Sequence, residues 1–117
     1  MLMLPGHVKV FIATKAVDMR KSFDGLTLLV QEVLEKDPLS GHLFVFTSRQ
    51  GDKVKILYWD RNGFCIWYKR LERGVFRMPR SGEKSCCIST NELYLLLEGI
   101  DLNDPTRHRS LIFEKAC

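Results

Sequence analysis

One stretch of the chain, from Leu43 to Leu71, constrains the fold more than any other. It reads LFVFTSRQGDKVKILYWDRNGFCIWYKRL, with three apolar runs broken at Gln50–Asp52 and Arg61–Gly63. Runs of β-branched and aromatic residues separated by short turns containing Gly, Asn and Asp are typical of consecutive antiparallel strands. The stretch therefore predicts a three-strand meander at the centre of an antiparallel sheet.

The register of the second hairpin decides which side chains share a face. A type I turn with a glycine bulge would pair Asp60 with Phe64. We favour it over a two-residue Asn62–Gly63 turn because it makes one face wholly apolar, and a one-residue slip would mix the two sets. The apolar face would hold Val54, Ile56, Tyr58, Phe64, Ile66 and Tyr68. The other face would hold Lys53, Lys55, Leu57, Trp59, Cys65, Trp67 and Lys69, with Lys55 directly opposite Lys69.

The remaining elements flank this meander. Period-two alternation predicts a first strand from His7 to Ala13, and helical spacing predicts a helix from about Ser22 to Glu35, capped by Asp18 or Ser22. Short strands are expected at Val75–Met78 and Cys86–Ser89. A second helix follows over STNELYLLLEGI, capped by Ser89 or Thr90, with Glu92 placed for a capping box.

These elements predict an α+β fold, an antiparallel β-sheet with a central three-strand meander packed by two helices, most simply on one face. Residues 1–102 are expected to form a single domain, and 103–117 a polar C-terminal tail. A chain of 117 residues with 27% charged and 45% hydrophobic residues is an ordinary globular protein. Because it has no apolar stretch of about 20 residues and no signal-like leader, we expect a cytoplasmic protein without membrane contact.

Metal and cofactor chemistry finds little support in the sequence. The four cysteines form no CxxC pair, and His7, His42 and His108 are scattered, so we expect neither a zinc site nor a cofactor. Asp18, Asp24 and Asp60 are available carboxylates, with Glu72 more distant, but no spacing specifies a divalent-metal site, and cap, first-turn and β-turn roles explain the three aspartates. No nucleophile motif accompanies them, so we expect no catalytic residues.

Positive charge is concentrated after the third strand of the meander. The net charge is only +4, but the cluster holds Lys69, Arg70, Arg73, Arg77 and Arg80 with only Glu72 opposing. Cations on consecutive strands and turns suit phosphate contacts, and Arg20 and Lys21 before the first helix would add to them. The alternative is a solvated rim of the sheet, locally paired with Glu72.

A second candidate surface combines tryptophan with lysine. In the favoured register, Lys55, Trp59, Trp67 and Lys69 share a face, and aromatic rings interleaved with cations can stack unpaired bases. The alternative is burial of both indoles, beneath the C-terminal helix or against a partner subunit. We therefore assign Lys55 and Lys69 to candidate nucleic-acid contacts, and Trp59 and Trp67 to candidate partner contacts.

The order of three segments resembles a known family. They are VDMRKSFDGL, then SGHLFVFTSRQGDKVKILYWDRNGFCIWYKRLERGVFRMP, then STNELYLLLEGIDL. Together they resemble the small accessory protein of insertion-sequence-sixty-six elements, the product of the second open reading frame, often called TnpB. The resemblance runs from about Leu4 to Leu102, with Met78 where the family often has Trp.

This resemblance leads to an expectation about function. It implies an accessory protein needed for transposition, encoded beside a separate, larger transposase, and it supplies no catalytic residues. The partners it suggests are the cognate transposase and the DNA of the element ends. The alternative is a protein-interaction module of the transposition complex that never touches DNA. The oligomeric state is left open.

Overall fold

The computed structural model describes residues 7–103, which form one sheet and two helices. The strands are β1 (Val10–Ala13), β2 (Leu43–Thr47), β3 (Lys53–Asp60), β4 (Gly63–Arg70) and β5 (Ser85–Ile88). The helices are α1 (Phe23–Glu32) and α2 (Thr90–Leu97). The predicted polar tail lies outside the described residues from position 104 onward, so its separation from a 1–102 domain stays a prediction.

The strands are ordered β4-β3-β2-β1-β5 in a single sheet. Strands β2, β3 and β4 are successively antiparallel, which confirms the predicted meander and the α+β class. The sheet is mixed, however, because β1 runs parallel to β2. Helix α1 lies between these two strands in the sequence, and a parallel pair requires a long connection of this kind. Strand β5 then pairs antiparallel with the free side of β1.

The two helices cover opposite faces of the sheet, so packing on one face, the simplest arrangement expected, is wrong. Leu26 and Val30 of α1 lie in one apolar core with Phe44. Leu93 and Leu96 of α2 lie in the other core, across the sheet. All five residues of β2 are buried, which is typical of a strand with both faces covered. Neither helix of the described region is long and apolar enough to cross a membrane.

The predicted register of the β3–β4 hairpin is also wrong. Asp60 pairs with Gly63 across a two-residue loop, so Trp59 pairs with Phe64 and Lys55 with Tyr68. The loop is made possible by the left-handed conformation of Arg61, with φ of 51°. With no bulge, β4 is turned over relative to the expectation. Phe64, Ile66 and Tyr68 now face α1 with Leu57, whereas Cys65, Trp67 and Lys69 face α2 with Ile56.

Several element boundaries differ locally from the sequence expectations. The described strand β1 begins at Val10, and α1 ends at Glu32, before the left-handed Glu35. The Val75–Met78 segment is not a strand. The capping box of Ser89 and Glu92 is confirmed, with the Ser89 hydroxyl accepting from the Glu92 amide. Residue Ser22 is the N-cap of α1 but makes no side-chain cap hydrogen bond.

Candidate nucleic-acid interface

The positively charged surface is organised around the turn between β2 and β3. Thr47 pairs with Val54, and Lys53 with Arg70, so the β2–β3 turn and the last residue of β4 lie at the same end of the sheet. We call this the basic end. The β3–β4 loop lies at the opposite end, where Asp60 pairs with Gly63.

The β2–β3 turn is held by its own polar groups. The Ser48 hydroxyl accepts from the Lys53 amide at 3.1 Å and donates to Asp52 Oδ1 at 3.2 Å. Gly51 has φ of 80°, a conformation that L side chains rarely adopt, and its amide donates to the Ser48 carbonyl at 3.0 Å. The turn therefore presents the exposed Arg49 from a defined backbone.

The segment after β4 folds back onto the same turn. The Leu71 amide donates to the Asp52 carbonyl at 2.7 Å, and the Phe76 amide donates to the Gly51 carbonyl at 2.8 Å. The Phe76 side chain is buried in the core beneath α2. These anchors bring the exposed Arg73, between them, and Arg77, directly after them, to the basic end.

The loop before α1 completes this end of the molecule. The Val17 amide donates to the Thr47 carbonyl at 2.9 Å, which ties the loop to the end of β2. The buried ammonium group of Lys55 donates to the Met19 carbonyl at 2.7 Å and to the Lys21 carbonyl at 2.8 Å. Arg20 and Lys21, both exposed, are therefore carried on a backbone that is fastened to the sheet.

These three segments carry the whole formal surplus of positive charge. Residues 16–24, 48–53 and 68–77 hold eight lysines and arginines against four carboxylates, which leaves four positive charges. The net charge of the entire chain is also +4, so the rest of the sequence is balanced. A concentrated surplus of this kind attracts polyanions. The eight cations are Arg20, Lys21, Arg49, Lys53, Lys69, Arg70, Arg73 and Arg77.

Three of these cations are paired with neighbouring carboxylates. Arg20 contacts Asp18 at 2.6 Å, Lys53 contacts Asp52 at 3.3 Å and Arg70 contacts Glu72 at 3.0 Å. Hydrogen bonds from the Arg20 side chain and backbone hold the pKa of the Asp18 carboxyl well below its usual range. The hydrogen bonds that Arg70 donates to Glu72 likewise raise the pKa of the Arg70 guanidinium. Within residues 7–103, Lys21, Arg49, Arg73 and Arg77 make no ion pair.

Two lysines proposed from the sequence as nucleic-acid contacts are engaged inside the protein. Lys55 holds the loop before α1, as described above, and is buried. Lys69 lies on the opposite face, where its ammonium group donates to the Leu97 carbonyl at the C-terminus of α2, at 3.1 Å. A cation at a helix C-terminus stabilises the unpaired carbonyls there. Arg80 is exposed, and its amide donates to Asn103 Oδ1 at 3.2 Å.

The two tryptophans proposed as partner contacts do not share a face. Trp59 lies on the α1 side, where the centroids of its ring and the Phe64 ring are 5.1 Å apart in an edge-to-face arrangement. Trp67 packs partly buried against the core beneath α2. The expected face that combined both indoles with Lys55 and Lys69 therefore does not exist, because the predicted register was one residue out.

An open groove at the basic end was missed by the sequence reasoning. It has a volume of about 680 Å³ and lies between the loop 16–20 and the turn 48–50, with Lys53 and Tyr68 also lining it. Arg49 belongs to no sequence motif that would mark it as a binding residue. The predicted register placed Tyr68 on the apolar face that was expected to be buried. The correct register would have placed Tyr68 and Lys53 on one face, and would have revealed the combination of an aromatic ring with cations.

The carboxylates considered from the sequence, all of which lie in the described part of the chain, do not assemble into a metal site. Among residues 7–103, no group of three His, Cys, Asp or Glu side chains is arranged to hold a metal ion. Asp18 is paired with Arg20, Asp24 is exposed in the first turn of α1, and Asp60 ends β3. The first-turn position of Asp24 and the turn position of Asp60 agree with the sequence expectation, but Asp18 is not the helix cap, because Ser22 is the N-cap and Asp18 accepts hydrogen bonds from Arg20 instead.

Comparisons with known proteins give one matching family model and two similar proteins. A family model described as IS66 Orf2 like protein matches residues 8–107. The Sinorhizobium fredii protein y4hO is 46% identical over 105 residues, which cover 88% of this chain and 91% of that protein. A second protein of that organism, y4jC, is 35% identical over 94 residues, which cover 80% of each chain. No solved structure matches. The chain therefore belongs to the IS66 Orf2-like family, as the three sequence segments indicated.

Proposed function

We propose that this protein is a non-catalytic accessory factor of insertion-sequence transposition that contacts the DNA of the element through its basic end. Membership of the IS66 Orf2-like family supports the accessory role in transposition. The observation that carries the DNA contact is the collection of the chain's whole charge surplus on three segments at one end of the sheet. A folded surface of this kind can follow a phosphate backbone without base-specific contacts.

The exposed cations are not expected to contribute equally to phosphate binding. Arg49, Arg73 and Arg77 make no ion pair in the described region, so they can bind phosphate without first losing an internal partner. Arg20, Lys53 and Arg70 are each paired with a carboxylate, and phosphate would have to compete with it. Lys55 and Lys69 keep an architectural role, because Lys55 donates to two backbone carbonyls and Lys69 to one. Arg49 and Arg73 are therefore the residues to test first.

Binding of the transposase is the alternative that also has structural support. Phe23 and Leu28 on α1 and Leu39 after it are large apolar side chains that remain between 45% and 55% exposed. Exposed apolar side chains are common singly but suit protein contacts where several are near each other. A pure interaction module would use such residues and leave the basic end without a role.

One experiment separates these two possibilities. Fluorescence anisotropy would measure binding of labelled duplex DNA carrying the terminal repeats of the element. We expect Arg49→Gln/Arg73→Gln to weaken binding by roughly tenfold or more, because two phosphate contacts are removed. The control Lys36→Gln/Arg61→Gln removes the same charge, with Arg61 at the opposite end of the sheet, and should change affinity less than threefold.

The transposase supplies the second arm of this experiment. Pull-down of the purified transposase should be unaffected by Arg49→Gln/Arg73→Gln if that pair acts on DNA. Wild-type protein that captures the transposase but binds no duplex DNA would overturn the DNA contact and favour the pure interaction module. Equal weakening of DNA binding by both double variants would show that net charge, and not the basic end, is responsible.

A further inference from the structure

The groove at the basic end has an aromatic floor. Tyr68 lies on the face of the sheet that carries α1, and about half of its surface is exposed. The Lys55 ammonium group lies 4.8 Å from the centroid of its ring. The Met19 and Lys21 carbonyls hold the Lys55 ammonium group in place, and this group in turn packs against one side of the Tyr68 ring. The exposed aromatic surface is thus held in place.

Three cations line the groove together with Tyr68. Arg20 and Arg49 line the groove from its two walls, and Lys53 lines it from β3. Lys53 is the strand neighbour of Arg70, and these two residues lie on the same face of the sheet as Tyr68. Asp18 is the only carboxylate among the described residues that line the groove, and it is paired with Arg20. Lys53 is paired with Asp52 beside the groove, so Arg49 is the lining cation that makes no ion pair in the described region. The groove is therefore positively charged around an aromatic floor.

This combination distinguishes between forms of DNA. A duplex keeps its base faces stacked on one another, so it can offer phosphates to the cations but no base face to Tyr68. An unpaired strand offers both, and aromatic rings flanked by cations are how proteins commonly bind single strands. The volume of about 680 Å³ lies within the range of sites that hold small organic ligands, so the groove has room for a nucleotide.

We propose that this groove binds an unpaired segment of a DNA strand, with a base stacked on Tyr68 and a flanking phosphate bound by Arg49. The inference rests on the proposed contact with DNA and adds the form of DNA that the groove recognises. A duplex would place phosphates on Arg49 as well as on Arg73 and Arg77 outside the groove, but only an unpaired strand would bring a base onto Tyr68. The protein would thus suit a junction at which duplex DNA gives way to a single strand.

The test compares two labelled probes, oligothymidine of twelve nucleotides and a blunt duplex of the same length. We expect Tyr68→Leu to weaken oligothymidine binding at least fivefold, the lower limit for loss of one stacked base, and to change duplex binding less than twofold. Tyr68→Phe keeps the ring and should retain oligothymidine binding within twofold. Circular dichroism would verify that each variant is folded.

A second measurement uses the unaltered protein, so it does not depend on the variants folding. Oligothymidine containing 5-iododeoxyuridine would be photo-crosslinked to the wild-type chain and the attachment site mapped by mass spectrometry. Crosslinking at Tyr68 is the expected result. Crosslinking confined to other residues, or oligothymidine binding that is unchanged in Tyr68→Leu, would overturn the proposal.

The outcomes also separate this proposal from the broader one. Duplex binding without oligothymidine binding overturns the role of the groove and leaves the DNA contact of the basic end in place. Absence of binding to both probes overturns both proposals. Binding of oligouridine in preference to oligothymidine would contradict the assignment to DNA and make RNA the ligand of the groove.

Discussion

Lys55 and Tyr68 are cross-strand partners on β3 and β4, and the buried ammonium group of the lysine lies 4.8 Å from the centroid of the tyrosine ring. This pair links the sheet, the loop before α1 and the groove at the basic end. Lys55 reaches from the sheet to the Met19 and Lys21 carbonyls, so it positions the loop that carries Arg20. Tyr68, half exposed, forms the floor of the groove beside it.

The first prediction concerns the architectural role of Lys55. In Lys55→Met the Met19 and Lys21 carbonyls lose their donor, and we expect the free energy of unfolding to fall by about 1–3 kcal/mol. Urea denaturation would measure this loss. Lys53→Met is the control, since Lys53 is two residues away on the same face but is only partly buried, and it should cost less than about 1 kcal/mol. Equal stability of Lys55→Met and wild type would contradict the role.

A second prediction tests the turn that presents Arg49. Gly51 has φ of 80°, and an added Cβ would lie 3.3 Å from the Val75 side chain. We therefore expect Gly51→Ala to destabilise the protein by about 1–2 kcal/mol, from backbone strain with some crowding. Gly63→Ala should be close to neutral, because nothing lies within 4 Å of its Cβ position. Thermal unfolding of both variants would check this, and similar losses would refute the explanation.

The third prediction concerns the start of α2. The Ser89 hydroxyl accepts from the Glu92 amide at 3.1 Å, and Glu92 Oε1 accepts from the Ser89 amide at 2.8 Å. We expect Ser89→Ala to cost about 1 kcal/mol in thermal or urea unfolding. Glu92 Oε2 is buried without a hydrogen-bond partner in the described region, so Glu92→Gln should preserve stability or increase it. A large loss in Glu92→Gln would show that the charge itself is required.

A fourth prediction follows from the lowered pKa of Asp18. Hydrogen bonds from Arg20 favour the charged carboxylate in the folded state, whose pKa lies below that of the unfolded chain. The stabilisation is complete above the unfolded pKa of about 4 and is lost as pH falls towards the folded value. Titration followed by carboxyl NMR shifts should therefore show Asp18 keeping its charge to a lower pH than an unperturbed aspartate does. In Arg20→Gln its pKa should return towards about 4, and an unchanged value would exclude Arg20 as the cause.

Much of the fold could be predicted from local patterns. Alternation and turn residues between Leu43 and Leu71 defined the meander, and Ser89 with Glu92 defined the start of α2. These features depend on residues close together in the sequence. The parallel pairing of β1 with β2 depends on where α1 returns the chain, which no local pattern specifies.

The register error explains most of what was missed at the site. Both faces of the sheet are apolar, as the five buried residues of β2 indicate. The presence of one wholly apolar face therefore could not distinguish the correct register from the wrong one. The slip placed Tyr68 with buried residues and grouped Trp59 with Trp67, which lie on opposite faces. The cluster after β4 was read from the sequence, but Arg49 and Lys53 join it only through the folded β2–β3 turn.

The central claim, that the basic end contacts phosphates, is tested most directly by the salt dependence of duplex binding. The logarithm of the association constant would be measured against the logarithm of salt concentration for wild type, Arg49→Gln/Arg73→Gln and the control Lys36→Gln/Arg61→Gln. Each lost phosphate contact should make this negative slope shallower by about 0.9. Arg49→Gln/Arg73→Gln should therefore make it shallower by nearly two, while the control leaves it unchanged. Identical slopes for all three proteins would contradict the account.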